Sequence, residues 1–167
     1  IFFESQKTYG VGELFEKGGV PEGYYETELG EPAVRTQGKD LTLVTVGPVL
    51  YSGMKVVEEM KEKYGMEVEL IDLRFINPLN YDKIVESVKK TGRLVLASDA
   101  VERGSALHNI ASNITNLCFD YLDAPPVVIG AKNWISPAAE METDYFPQAS
   151  WMIDAIHERV VPLPGMW

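Results

Sequence analysis

The chain is poor in sulfur, imidazole and positive charge, and each shortage removes a class of function. It holds one cysteine, Cys118, in 167 residues, so no internal disulfide can form and no second thiolate is available for a metal. Cys118 falls in an apolar helical stripe, which marks it as a core residue of a protein from a reducing compartment. The two histidines, His108 and His157, sit on expected helices with no second ligand at metal spacing, and HExxH is absent. A zinc site is therefore not expected, and His108, beside an inward stripe, reads as a half-buried helix residue. Lys and Arg total 15 against 25 Asp and Glu, a formal charge of −10. Nucleic acid and anionic membrane surfaces both require clustered bases, so neither is an expected partner. No apolar run reaches the roughly 18 residues of a membrane span, and no basic-then-apolar leader opens the chain. A cytoplasmic protein is expected. Phosphate-cradling and nucleophile motifs are missing too: there is no GxxxxGK[ST] and no GxSxG. Gly10-Val11-Gly12 begins a dinucleotide fingerprint, but Phe15 occupies the place of its third glycine.

What is present is an alternation of buried strands and amphipathic helices. Hydrophobic residues make up 46 % of the sequence and charged ones 24 %, ordinary for one globular domain with a real core. The chain starts on Ile1, inside a strand-like run, which reads as a cut end with polypeptide before it. Residues 1–40 then form a Gly-, Pro- and Tyr-rich arm with little periodicity, read as a connector, in which 33–37 is a possible edge strand. The run LTLVTV, Leu41 to Val46, is a central strand, and local turn rules at Gly38-Lys39-Asp40 would pair it with 33–37 as a hairpin. A helix opens at Gly47-Pro48, turns Val49, Gly53, Val56 and Met60 inward, and closes at Gly65. The organising stretch follows, Glu67 to Thr91. A buried strand ends on Asp72 and Arg74, a loop runs through Pro78, and a helix with Asn80 as its cap turns Ile84, Val85 and Val88 inward and stops at Gly92. Arg93 to Ala97 is the next strand, emptying into a polar loop, Ser98 to Gly104. A helix capped by Ser105 carries the stripe Leu107, Ile110, Ile114, Cys118 and Tyr121. A short strand over 127–129 and a last helix after Pro147 complete the chain, and Pro162 and Pro164 keep the tail out of that helix. Such alternation makes an α/β domain of three layers, a parallel sheet covered on both faces.

Three constellations are candidates for chemistry or recognition. Asp99 and Glu102 lie at the carboxyl end of a strand, where open sheets place ligands, although a solvated loop at a helix start explains them equally. Asp72 and Arg74 read as an ion pair fixing the loop before Pro78. Between Asp120 and Glu158 the acids Asp120, Asp123, Glu140, Glu142, Asp144, Asp154 and Glu158 face a single base, Lys132. Trp134, Tyr145 and Phe146 lie among them. Aromatics amid acid suit a partner that brings basic groups and an apolar anchor, and a plain solvated face remains the alternative.

The strings IDLRFINPLN, VKKTGRLVL, FDYLDAPPVVIG and NWISPAAEME, in that order, resemble the carboxyl-terminal domain of the beta subunit of thiamine-diphosphate-dependent 2-oxo acid dehydrogenases. The wider group is the transketolase carboxyl-terminal domain. The likeness continues upstream through VPEGYYETELGEPAVRTQGKDLTLVTVG to IFFES, nearly the whole chain. It implies a five-stranded, mixed, mostly parallel sheet of strand order one-three-two-four-five, with the first strand antiparallel. That arrangement replaces the hairpin of local turn rules. It also implies a connector arm over 1–40 following a pyrimidine-binding domain, and a domain proper over 41–167. Thiamine diphosphate and magnesium would be bound outside this stretch, which would be a non-catalytic scaffold. Implied partners are the other domains or subunits of a dimer or heterotetramer, and a lipoyl acyltransferase core with a basic binding module, in a multienzyme complex. A branched-chain 2-oxo acid is the first expected substrate and pyruvate the second. Ser98-Asp99-Ala100 departs from the family's EEG and glycine-rich segment, and the tail to Trp167 is longer than the family's. A ketol transferase or deoxyxylulose-phosphate synthase would instead carry sugar-phosphate-binding His and Arg upstream, and a free-standing flavodoxin-like module would bind nucleotides by itself.

Overall fold

A computed structural model describes residues 4–9 and 22–166. The glycines at 10 and 12, Phe15, the strand-like start at Ile1 and the terminal Trp167 lie outside the described residues. Five strands and four longer helices follow in order: β1 (Ala33–Thr36), β2 (Leu41–Thr45), α1 (Val49–Tyr64), β3 (Val68–Asp72), α2 (Asp82–Thr91), β4 (Leu94–Val101), α3 (Ala106–Cys118), β5 (Val127–Ala131) and α4 (Ala149–Arg159). They form one sheet of order β1-β3-β2-β4-β5, parallel throughout except for β1, which runs antiparallel to β3.

Strand alternation divides the core in two. Leu41, Leu43 and Leu70 point to one face and meet Val56 and Met60 of α1 and Met152 and Ile156 of α4. Val44, Ile71 and Leu96 point to the other and meet Ile84 and Val88 of α2 and Ile110 and Ile114 of α3. This is the three-layer α/β/α arrangement, with every residue of β2 buried at its centre. One polar residue of β2 is accommodated by partners: Thr42 Oγ1 meets the hydroxyls of Ser87 and Thr91 on α2, each at 2.7 Å.

Several expectations need correction. The strand order and the antiparallel first strand are those the family resemblance implied, and it is only the hairpin of local turn rules that does not form, because β3 lies between β1 and β2. The intervening residues arch over the start of β3 instead: Lys39 and Asp40 N–H donate to the Glu67 carbonyl at 3.1 and 3.0 Å, and Asp40 Oδ2 accepts from Glu67 N–H at 2.8 Å. Asp72 pairs not with Arg74 but with Arg35 of β1, at 2.9 Å, while its other oxygen accepts from the Arg74 backbone N–H. Arg74 adopts φ +57, a left-handed conformation that costs a non-glycine residue about 1 kcal/mol or more. β4 runs to Val101, past the expected loop start at Ser98, with its register against β5 shifting between Ala97 and Val101. Tyr121 leaves the α3 stripe, since the helix ends at Cys118 and a 3-10 turn carries Tyr121 outward, to 51 % exposure, beside Lys89. Asn80 serves the start of α2 as expected, its Oδ1 accepting from Asp82 N–H at 3.0 Å, one position before the formal cap at Tyr81. Cys118 is buried, donates to the Ile114 carbonyl, and has its thiol pKa pushed up by burial. The tail folds back on α4: Leu163 is buried and its N–H donates to His157 Nδ1 at 2.8 Å.

The stretch just before β1 is stitched to the far side of the β3–α2 loop. Glu31 meets Lys83 Nζ at 3.0 Å and accepts from Asn80 Nδ2. Lys83 first, then Asn80, hold the Glu31 carboxyl below its ordinary value of 4.5. A group depressed in the folded state contributes its stability above the unfolded pKa and loses it as pH falls through the folded one. The difference in melting temperature between wild type and Glu31→Gln should therefore be largest near neutrality and shrink below pH 4.5. A difference that stayed constant through acid would show that the Glu31 charge contributes nothing.

Candidate functional site

The carboxyl ends of β4 and β5 gather the residues singled out from the sequence. The β4–α3 and β5–α4 connections are laced to each other: Glu102 N–H donates to the Ala131 carbonyl at 3.0 Å, and Arg103 N–H to Asn133 Oδ1 at 3.1 Å. Gly130 makes this approach possible, because a Cβ there would lie 2.5 Å from Glu102 Cα and 2.6 Å from the Ala100 carbonyl oxygen. Beyond β5 the chain loops out and returns through a 3-10 turn, Ala139–Asp144. It is fastened where Lys132 N–H donates to the Tyr145 carbonyl at 3.0 Å and Tyr145 Oη to the Trp134 carbonyl at 3.5 Å.

These bonds sort the candidates. Trp134, 60 % exposed, and Asp144 face solvent on the returning loop. Tyr145 does not: it is 2 % exposed, with Phe146 half-buried edge-on against it at 4.9 Å between ring centres. Tyr145 is the inward anchor of the loop and Trp134 is what the loop displays, so two aromatics of one loop, eleven positions apart, are split between core and surface. Glu102 is half-buried and lines a cleft between β5 and α4, while Asp99 is half-buried on β4 itself. Ile135 at 93 % and Met141 at 52 % exposure join Trp134 as apolar side chains on the loop surface. Neither was singled out from the sequence, although both stand among prolines and acids where no helix or strand period would bury them. A second exposed apolar set, Leu117, Phe119 and Tyr121, marks the end of α3.

The cleft, of ≈ 470 Å³, is lined by Glu102, Asp154 and Glu158 along with Lys132, Trp151 and Arg159. Lys132 Nζ lies 4.3 Å from the centre of the Trp151 ring, a cation held on an aromatic face. The three carboxylates outnumber the two cations, one of which, Lys132, is engaged with Trp151, so the lining is net negative and unfavourable to a diphosphate. Among the described residues no group of three or more His, Cys, Asp or Glu is placed to hold a metal ion. These residues do not fit a magnesium diphosphate. Among the described residues no helix is long and apolar enough to cross a membrane.

Residues 30–152 match the family described as Transketolase, C-terminal domain. The chain is 37 % identical over 158 residues to the pyruvate dehydrogenase E1 component subunit beta of Rhizobium meliloti (strain 1021), covering 93 % of this chain and 33 % of the relative. It is 39 % identical over 125 residues to the mitochondrial 2-oxoisovalerate dehydrogenase subunit beta of Dictyostelium discoideum, covering 75 % of this chain and 33 % of the relative. The chain thus spans about a third of the length of these curated relatives. Among solved structures, one titled split gene transketolase, inactive beta4 tetramer, is similar with a TM-score of 0.67 and 23 % identity, covering 85 % of this chain and 46 % of that one. At that identity the likeness speaks for the fold alone.

Proposed function

The chain belongs to the transketolase C-terminal domain family, and from that premise we propose that it is the non-catalytic scaffold and interface domain of a thiamine-diphosphate-dependent 2-oxo acid dehydrogenase. The enzyme would decarboxylate a 2-oxo acid, branched-chain or pyruvate, and pass the acyl group to lipoamide in a cytoplasmic multienzyme complex. Thiamine diphosphate and magnesium would be held by other domains or subunits. This domain's part is to be packed against by those neighbours and to offer a docking face to the lipoyl acyltransferase core. The observation that carries the reading is the carboxyl edge of the sheet. There, hydrogen bonds lace two loops into a rigid support, and the returning loop displays Trp134, Ile135 and Met141 among Glu140 and Asp144. An apolar anchor in an acidic surround suits a basic partner, with the acids governing encounter and the aromatic governing residence.

Pull-down and titration of the chain with a lipoyl acyltransferase binding module test this. Trp134→Ala should weaken binding about tenfold, the size of a modest anchor loss. Asp144→Lys should weaken it further at low salt than at high salt, because the exposed charge is screened. Binding indifferent to salt and to both substitutions would remove the docking face from the proposal. Calorimetry with flavin, nicotinamide and adenine nucleotides separates the scaffold from a nucleotide-binding module: saturable micromolar binding to this chain would contradict the scaffold.

A further inference from the structure

We infer that Glu31 is a latch that fixes the direction in which the arm, residues 22–29, leaves the domain. The arm is exposed along its whole described length and the chain becomes buried at Gly30. That change coincides with a dense set of bonds to one place, the end of the β3–α2 loop and the first turn of α2. The Gly30 carbonyl accepts from Asn80 N–H at 2.9 Å. Glu31 binds both Asn80 Nδ2 and Lys83 Nζ, and the Pro32 carbonyl accepts from Lys83 Nζ at 3.4 Å. Gly30 itself has φ +84, and a Cβ there would stand 3.3 Å from the Pro78 carbonyl oxygen, so the backbone turns against the loop where few other residues would allow it.

Lys83 and Asn80 come to Glu31 from α2 and the loop before it, and Lys83 is the charge that acts on Glu31. One carboxylate, with an oxygen for each partner, therefore spans the junction. Its removal leaves the Gly30 backbone bond and moves the next ionic fastening to Arg35–Asp72, at the middle of β1. With the Gly30 bond and the contact of Lys83 with the Pro32 carbonyl left to hold the junction alone, their opening would free residues 30–32 and give the arm up to ~10 Å of additional reach, at about 3.5 Å per extended residue. The latch matters because of what the arm and loop display. Tyr24, Tyr25 and Leu29 are 89, 53 and 69 % exposed, and Ile76 on the loop is 44 % exposed. With the latch closed, the direction of the arm is set where Gly30 sits on Pro78, and with it the position of Leu29 relative to the loop. With it open that position is no longer set.

The test is a distance distribution between spin labels at Leu29→Cys and Glu86→Cys in the full chain. Cys118 is buried with its thiol pKa raised, so it labels poorly. The wild-type background should give a narrow distribution, and Glu31→Ala and Lys83→Met should each broaden it by several ångströms. Glu31→Gln, which keeps an acceptor for Asn80, should fall between. Lys39→Met breaks an exposed pair with Glu67 elsewhere on the domain and should leave the distribution narrow. Because Lys83→Met leaves Glu31 in place, a folding defect of either variant alone does not decide the result. Equal widths in wild type, Glu31→Ala and Lys83→Met would overturn the inference, as would broadening by Lys39→Met.

Discussion

Gly38→Ala is expected to leave the protein largely unfolded under conditions in which the wild type is intact. A Cβ at residue 38 would stand 2.3 Å from Glu69 N, 2.3 Å from the Val68 carbonyl carbon and 2.5 Å from the Glu67 carbonyl oxygen. All three are backbone atoms of β3 or of its first approach, so no side-chain rotation relieves the overlap. Retreat of the β1–β2 crossing would break the bonds of Lys39 and Asp40 to Glu67. It would also withdraw Gly38 N–H from Glu69, a carboxylate 4 % exposed that otherwise relies on Lys90. Overpacking usually costs about 1–3 kcal/mol, and with rigid backbone on the receiving side the cost here should reach about 4 kcal/mol. For a chain of this size that lowers the melting temperature by roughly 10 °C. Gly65→Ala is the comparison: φ is +66 there, but no atom lies within 4 Å of the added carbon, so only the left-handed strain of about 1 kcal/mol applies. Thermal melts of the two variants check the contrast. A Gly38→Ala protein as stable as Gly65→Ala would show that the β1–β2 connection does not pass so closely over the start of β3.

Gly130→Ala should be the second most damaging of these changes, and its damage should be local first. The added carbon meets Glu102 Cα and N and the Ala100 carbonyl oxygen at 2.5–2.6 Å, so β5 and the end of β4 must part at the point where Glu102 N–H donates to Ala131. The β4–α3 loop lies at the rim of the domain and can move, which holds the expected cost to about 3 kcal/mol. Hydrogen exchange gives the sharper reading. The amides of Glu102 and Arg103 should lose protection in the variant while those of β2, at the centre of the sheet, keep theirs. If the docking face depends on the laced loops, affinity for the acyltransferase module should fall with that protection, although residue 130 is itself buried. Unchanged exchange at Glu102 would mean that the lacing exerts no hold on the loops.

The sequence was most legible where one periodicity met one clear boundary. α1 closes at Gly65 and α2 at Gly92, both left-handed glycines, because a helix ends where a residue without Cβ can turn back to bond its last carbonyls. Reading failed where two local rules conflicted or where an aromatic had equal claims on core and surface. Gly38-Lys39-Asp40 satisfies a hairpin turn, and nothing within those residues reports that β3 will occupy the space between the strands. Tyr145 and Trp134 share an acidic neighbourhood, and it is the fastening of the loop, by Lys132 N–H to the Tyr145 carbonyl and by Tyr145 Oη to the Trp134 carbonyl, that goes with one ring in and the other out. Asp72 had a cation two residues away and found its partner 37 positions upstream.

By itself the order of residues determined the layers, the helices and their ends and the character of the core, because each follows from the spacing of apolar side chains along a few consecutive turns or pleats, while the family and its strand order came from resemblance of whole strings of residues and not from any spacing. Only the tertiary structure decided which carboxylate meets which cation, which aromatic turns inward, and where the arm becomes part of the domain. Those outcomes depend on groups brought together from separate parts of the chain, such as Glu31 with Asn80 at a separation of 49, and no local period carries information over that distance.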